Sequence, residues 1–181
     1  MTCIVGIERK GVVWLGGDSA ATNGNGDQML IADSKVFVNG DVAFGICGSP
    51  KIFDPLKFTK FTKQKKGEDV REFVAKHLVP EIKTAMKEAG CVQDGEQFEG
   101  AVLFGVGGKL FRMESNFQLI CDTHRFDSVG SGANIAIGSL HSTKNDGNPK
   151  RRILLALEAS ATGNAGVRPP FTVVNVRKGW F

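Results

Sequence analysis

MTCIVGIERKGVVWLGGD, residues Met1 to Asp18, is the stretch on which the reading of the chain turns. Two apolar runs, Thr2 to Ile7 and Val12 to Leu15, flank the polar Glu8-Arg9-Lys10-Gly11 and predict a tight antiparallel hairpin. A turn centred near Lys10 pairs positions whose numbers sum to about 20, setting Thr2 opposite Asp18. Asp18 then closes an otherwise apolar strand, and a carboxylate buried there requires a partner. Lys35, which opens the next apolar strand after the polar stretch Ala20 to Ser34, is one candidate.

Further along, Asp33 to Val38 and Val42 to Cys47 predict a second hairpin around Asn39-Gly40, a dipeptide diagnostic of a type I′ turn. Both strands are apolar at nearly every position, which implies burial on both faces. From Pro50 to Gly90 the period becomes helical: Val70, Phe73, Val74, Leu78, Ile82, Ala85, Met86 and Ala89 share a face. Gly90 suits a C′ position, and Pro80 either kinks the helix or restarts it at N1. Phe98 to Cys121 return to strands, with Gly105-Val106-Gly107-Gly108 as the turn. No helix carrying Lys-Ser or Lys-Thr follows those glycines, so they are not read as a phosphate loop. Two helices come next, Gly132 to about Leu140 with Ser131 as a possible N-cap, and Asn148-Pro149 to about Gly163, before a final strand Phe171 to Val176. This order suits an α+β domain of two packed antiparallel sheets with helices outside each.

The 181 residues, 41% of them hydrophobic, are enough for one domain with a substantial core, and nothing divides residues 1–181 into two. There is no signal-peptide pattern and no apolar run near the roughly 20 residues that span a bilayer, so a soluble cytoplasmic protein is expected, with no membrane partner. Four scattered cysteines, Cys3, Cys47, Cys91 and Cys121, suit reduced core thiols better than a disulfide framework. A net charge of +4 is too mild to argue for nucleic acid unless it clusters. It clusters once, where Lys57, Lys60, Lys63, Lys65 and Lys66 interleave with Phe58 and Phe61. Glu68, Asp69 and Glu72 follow at once, so the cluster reads as a solvated helix end and loop, with no nucleic-acid partner.

Met1-Thr2 at the start, Gly16-Gly17-Asp18 after the first hairpin, Lys35 opening the third strand, Gly45 and Gly48 closing the fourth, and Gly130-Ser131-Gly132 before a late helix together resemble a proteasome-type β subunit. The likeness extends over nearly the whole chain and is greatest to the bacterial, HslV-type N-terminal-nucleophile hydrolases, which form double rings beneath an unfoldase ATPase. It implies a four-layer α-β-β-α sandwich, a homo-oligomeric ring, a possible unfoldase partner, and peptide or protein substrates. No cofactor or metal is implied.

The same resemblance implies a site. Removing Met1 would give Thr2 both a hydroxyl nucleophile and a free α-amine to serve as base, with an unperturbed pKa near 8. An ammonium on Lys35 would lower the amine's pKa and assist the hydroxyl, while Asp18 would hold Lys35 charged and oriented. Carried over from the family, Gly48 supplies a backbone N–H to the developing oxyanion and Ser131 relays protons at the amine. The apolar Trp180-Phe181 end would pack on a neighbouring copy.

Rival constellations are weaker. Asp122, His124 and Ser131 have the residue types of a triad without a nucleophile-elbow pattern. Cys121 and His124 make at most half a metal site. Cys3 replaces Thr2 as nucleophile only if two residues are removed. One departure from the family matters more: the active members usually carry an aspartate after the late helix and a serine or similar polar residue three positions later. A gapless reading puts Thr162 and Ala165 there, and the loop Asn164 to Pro170 is also unlike the usual pattern. A non-catalytic relative that keeps the fold is therefore the alternative.

Overall fold

The opening stretch folds as a hairpin in the structure, a computed structural model that describes residues 1–22, 27–93 and 96–179. Strand β1 (Cys3–Arg9) pairs antiparallel with β2 (Val12–Gly17). The register differs by one residue from the expected one: Ile4 faces Gly17 and Arg9 faces Val12, so Cys3, not Thr2, lies across from Asp18. Lys10 and Gly11 both adopt positive φ, 49° and 72°, making a two-residue turn where a longer one was expected.

Two short strands, β3 (Ala20–Thr22) and β4 (Gln28–Leu30), lie within the stretch expected to be polar loop. Then β5 (Val36–Asn39) and β6 (Val42–Gly48) form the second hairpin. Asn39 pairs with Val42, so the turn is Gly40-Asp41 and not Asn39-Gly40. The Asn39 amide instead donates to the carbonyls of Leu56 (2.9 Å) and Thr59 (2.7 Å), tying the hairpin to the end of helix α1 (Phe53–Phe58). Asp69 caps the next helical region, which runs as α2 (Val70–Phe73), a π-helical turn Val74–Leu78, and α3 (Val79–Glu88). Pro80 sits in the first turn of α3, and the Val79 N–H reaches back to the Val74 carbonyl, so the widened turn carries the helix past the proline without a break.

After α3 come β7 (Val92–Gln93), β8 (Gln97–Phe98), β9 (Gly100–Val106), β10 (Lys109–Met113), β11 (Leu119–Ile120) and β12 (Phe126–Gly130). The β9–β10 turn is Gly107-Gly108 alone. Helix α4 (Ala133–Ser142) is capped by Gly132, so Ser131 is not its cap. Helix α5 (Pro149–Gly163) is capped by Asn148, whose side chain accepts from the Arg151 N–H, and β13 (Thr172–Arg177) ends the described fold.

The strands form a four-stranded sheet ordered β12-β1-β2-β13 and a five-stranded sheet ordered β11-β10-β9-β6-β5, antiparallel throughout. Ile4, Val13, Leu15, Val36 and Leu103 fill the space between them. Phe44, Phe104, Phe73, Leu78 and Ile82 pack the five-stranded sheet against α1–α3, while Val5, Ile7, Leu140, Ile153 and Leu157 pack the other sheet against α4 and α5. The result is the α-β-β-α sandwich. Strand β1 sends Ile4 to the sheet–sheet layer and Val5 to the helix layer, which explains its unbroken apolar run. Each fully buried side chain of this kind contributes roughly 1.5–3 kcal/mol.

Of the lysine cluster, Lys57 ends α1 and Lys60 to Lys66 are exposed, while Phe61 turns inward to pack 5.7 Å from Phe44. The cysteines are free, but only Cys3 and Cys91 are core thiols; Cys47 is half-buried and Cys121 is exposed, its sulfur accepting from the Arg71 guanidinium at 3.2 Å. Among the described residues no helix is long and apolar enough to cross a membrane. Trp180-Phe181 and residues 23–26 of the polar stretch Ala20 to Ser34 lie outside the described residues.

Candidate active site

Strand ends converge on Thr2. Cys3 at the start of β1 pairs with Gly130 at the end of β12, Ile4 pairs with Gly17 at the end of β2, and Lys35 immediately precedes β5. This places Thr2, Asp18, Lys35 and Ser131 at one end of the sandwich even though they are far apart in sequence. The one-residue change in register does not scatter them, because the Asp18 side chain reaches back across the hairpin.

Lys35 Nζ donates to Asp18 Oδ1 at 2.9 Å and to Thr2 Oγ1 at 3.0 Å. Both partners are deeply buried, Lys35 4% and Asp18 1% exposed. Asp18 also accepts from three backbone N–H groups: Cys3 (2.9 Å) on Oδ1, with Ala20 (3.0 Å) and Arg168 (3.4 Å) on Oδ2. A carboxylate with four donors is compensated for its burial and is fixed in direction. The ammonium is thereby held against the threonine hydroxyl.

Thr2, 8% exposed, donates from its hydroxyl to the Met1 carbonyl at 2.6 Å, and Lys35 Nζ lies 3.4 Å from the same oxygen. The Thr2 N–H donates to Ser131 Oγ at 3.3 Å, and Ser131 Oγ donates in turn to the Thr2 carbonyl at 3.3 Å. Gly48 is placed beside this group through a cavity of about 350 Å³ that both Thr2 and Lys35 also line. Its φ of +118° belongs to glycine, and a Cβ there would collide with the Glu99 carbonyl.

The rival groups stay apart. His124 Nδ1 pairs with Asp122 Oδ1 at 2.9 Å on the surface while Ser131 is engaged with Thr2, and no triad forms. Among the described residues no group of three or more His, Cys, Asp and Glu is placed to hold a metal ion. Burial pushes the Cys3 thiol up, against smaller lowering from hydrogen bonds with Ser160 and Ser128. A buried neutral thiol of this kind is a poor nucleophile.

Thr162 is exposed and its hydroxyl donates to the Glu158 carbonyl of its own helix, and Ala165 offers only its backbone carbonyl, to Gln28 Nε2. Neither forms a hydrogen bond with Thr2. The residue that the gapless reading missed is Asn164, two places after Thr162, which donates from Nδ2 to the Ser131 carbonyl at 2.8 Å and accepts from the Gly166 N–H at 2.9 Å. The unusual loop Asn164 to Pro170 is thus part of the site, because it also supplies the Arg168 N–H to Asp18 and receives the Ser19 hydroxyl on the Pro170 carbonyl. Its composition of Asn, Gly and Pro was a signal for a loop, but not for a tether.

A neutral amide holding Ser131 has a consequence for pH. Asn164→Ala is expected to cost about 1 kcal/mol, roughly fivefold in rate for any reaction that uses Ser131. Asn164→Asp adds a negative charge near the Thr2 nitrogen, which favours a protonated amine and should move the acid limb of the pH–rate profile to higher pH. An unmoved acid limb in Asn164→Asp would separate Asn164 electrostatically from the amine.

No protein-family model matches the sequence, and no curated protein is significantly similar to it. Solved structures are similar. BPH, the bacterial proteasome homologue of Thiobacillus denitrificans, superimposes with a TM-score of 0.79 at 18% identity over 99% of this chain and 100% of that one. A second structure of it, in complex with epoxomicin, gives 0.79 at 16% identity over 98% and 100%. Eukaryotic HslV from Trypanosoma brucei gives 0.70 at 15% identity over 97% and 99%, and an Anbu (Gly-1) mutant from Hyphomicrobium sp. strain MC1 gives 0.68 at 15% over 98% and 82%. The chain has the proteasome-like N-terminal-nucleophile hydrolase fold.

Proposed function

We propose that, with Met1 removed, this chain is a threonine-type N-terminal-nucleophile amide hydrolase and the subunit of a self-compartmentalising, proteasome-like ring. The observation that carries the reading is the buried chain Asp18–Lys35–Thr2, in which a fully compensated carboxylate holds an ammonium 3.0 Å from the one hydroxyl that trimming would place on the first residue. A structural ion pair has no need of that third member.

In the mechanism, Thr2 Oγ1 attacks a peptide carbonyl while its proton passes to the Thr2 α-amine, with Ser131 as a relay. Lys35 disfavours protonation of the amine beforehand and stabilises negative charge on the oxygen as it attacks. The tetrahedral oxyanion is met by the Gly48 N–H, which can approach closely because no side chain stands there. Collapse breaks the C–N bond, the ammonium of Thr2 protonates the departing amine, and an ester on Thr2 remains. Water, deprotonated by the same amine, cleaves that ester and restores the hydroxyl.

Fluorogenic peptides assayed with trimmed wild type and with Thr2→Ala test the chemistry. Epoxomicin, the compound bound to the Thiobacillus homologue, is a suitable second probe. Wild type should turn over peptide and bind epoxomicin, and Thr2→Ala should lose turnover. The absence of a side-chain carboxylate at Thr162 and Ala165 favours one competing reading, a non-catalytic relative with a structural or interaction role; equal inactivity of both proteins would establish it. For assembly, a native mass spectrum is expected to give an integral multiple of the subunit mass. A monomer at micromolar concentration would end the self-compartmentalising reading and with it any role for an unfoldase ATPase partner.

A further inference from the structure

Cations that are scattered along the sequence meet at the end of the sandwich away from Thr2. Thr2 precedes β1 and Arg9 ends it, so the β1–β2 turn carries Arg9 and Lys10 to that far end. Strand β13 ends beside the turn, with Arg177 across from Val12 and the Lys178 N–H donating to the Gly11 carbonyl at 2.8 Å. Arg9 Nη1 donates to the Asp146 carbonyl at 3.1 Å, which joins the turn to the connection between α4 and α5. That connection carries Lys144, and the first turn of α5 adds Lys150, Arg151 and Arg152. Lys10, Lys144, Lys150, Arg177 and Lys178 are all exposed and form no ion pair among the described residues.

The negative charges around this patch are engaged or lie at its borders. Asp146 Oδ2 stands 3.7 Å from Arg151 Nε, and Oδ1 accepts from the Asn148 N–H. Glu8, on the flank toward β10, is held by Lys109 Nζ at 3.1 Å and the Leu110 N–H at 3.2 Å. Beyond it the charges are mixed, with Asp122, Glu114 and Asp127 among Arg112, Arg125 and His124. Glu158, two turns along α5, marks the opposite border. Arg152 registers the local excess of positive charge. It is 5% exposed, yet its guanidinium donates only to the neutral Leu140 carbonyl (2.8 Å) and Thr143 Oγ1 (3.4 Å), and lies 5.6 Å over the Phe126 ring. Burial and then the charge of Arg9 push it below the ordinary arginine value, against a smaller raising by Asp146.

We propose that this basic end binds the phosphate backbone of double-stranded nucleic acid without regard to base sequence. The large apolar side chains exposed among the described residues are Met1, Met29, Leu30, Val38, Phe58 and Ile135, and none belongs to the segments that form the patch. A protein partner would need an apolar centre and a bilayer an apolar anchor, and the patch offers neither. Single strands are held by bases stacked on exposed rings, but Phe126 is buried beneath Arg152 and Trp14 is half-buried against the helix layer. Cations alone remain, and a duplex presents the denser row of phosphates to them. The mild net charge of +4 conceals this because residues 9–10, 144–152 and 177–178 come together only through the pairing of β1, β2 and β13 and the return of α5. The inference goes beyond the hydrolase reading and does not depend on it.

Anisotropy of a fluorophore-labelled DNA duplex of mixed sequence, titrated with the full chain, tests this. Binding should saturate at about 50 mM salt and weaken about a hundredfold by about 200 mM, as counterion release from about four phosphates requires. Lys144→Glu with Lys150→Glu should weaken it about tenfold or more at the lower salt. The milder Lys144→Gln with Lys150→Gln should fall between wild type and that pair, which keeps the test decisive if the charge reversal impairs folding. Lys51→Glu with Lys87→Glu makes the same change in net charge on exposed lysines near the Thr2 end, where the Cys91 thiol bonds the Lys51 carbonyl just after α3. That pair should stay within about threefold of wild type. Equal weakening by both reversed pairs, no saturable binding at the lower salt, or an affinity indifferent to salt overturns the proposal. Displacement of the duplex by polyglutamate at equal charge concentration also overturns it, in favour of an acidic protein segment. Cosedimentation with phosphatidylserine vesicles without duplex binding overturns it in favour of an anionic membrane. Thr2→Ala should bind the duplex as wild type does, so loss of turnover and loss of duplex binding are read separately.

Discussion

Lys35→Met is expected to lower the unfolding free energy by about 3 kcal/mol and to abolish turnover, and Asp18→Ala to be worse, at about 5 kcal/mol or more. Breaking one side of a buried ion pair leaves the other charge uncompensated, which is the costly step. The two sides are unequal here. With Lys35 gone, Asp18 still accepts from the N–H groups of Cys3, Ala20 and Arg168, so most of its solvation is retained. With Asp18 gone, the Lys35 ammonium is left, among the described residues, with oxygens of Thr2 and Met1 only, and three backbone N–H groups lose their acceptor. The common rescue of a buried pair by two apolar residues should fail for the same reason, since Lys35→Met with Asp18→Leu leaves those N–H groups unpaired. At about 2–4 °C per kcal/mol for a chain of this size, Lys35→Met should shift the melting temperature by roughly 6–12 °C. Denaturation of the three variants at one fixed protein concentration gives the order. Asp18→Ala no more damaging than Lys35→Met would mean that the carboxylate does not anchor the backbone as its contacts indicate.

The same residues show what the sequence made legible. Asp18 and Lys35 stood out because a charge at the end of an apolar strand has few alternatives to pairing, and the pairing holds at 2.9 Å. The register of the first hairpin was off by one because apolar runs locate a turn only to within a residue or so. The deciding fact was that Lys10 accepts positive φ beside Gly11. Asn39 misled for a different reason: a strong turn former was drawn out of the turn by two carbonyls of α1, a tertiary contact that no local pattern contains. Strands β3 and β4 were hidden because Gln28, Met29 and Leu30 are exposed and show no buried face to generate periodicity. Asn164 was missed because its part in the site comes from the Ser131 carbonyl it meets 33 residues away, a contact that no local pattern contains. The helix sequence was readable, but the path of the loop back to Ser131 and Asp18 depends on contacts across the whole chain.

Retention of Met1 is expected to reduce turnover by about 10³-fold or more relative to the trimmed chain, within the range assigned to general acid–base catalysis combined with steric exclusion of substrate. In the untrimmed chain the Thr2 nitrogen is an amide that donates to Ser131 Oγ and has no lone pair to accept the hydroxyl proton. The Met1 carbonyl occupies both the Thr2 hydroxyl and Lys35, the two groups that a substrate carbonyl would approach. The Met1 side chain lies against Gly166, where an added Cβ would collide with it, yet Met1 remains 52% exposed and open to an aminopeptidase. On the proposed hydrolase reading Met1 would act as an inhibitory plug, and its removal would create the base, free the nucleophile and open the cavity together. A chain carrying an N-terminal extension that a specific protease removes directly before Thr2 supplies both forms from one preparation, and intact mass identifies each. If the retained form is as active as the trimmed one, the α-amine is not the base and the hydroxyl must be activated by Lys35 alone. If the trimmed form is as inert as Thr2→Ala on a broad set of amides, the plug guards nothing, and the neutral Asn164 amide on the Ser131 carbonyl becomes a physical cause to test, by asking whether Asn164→Asp restores turnover.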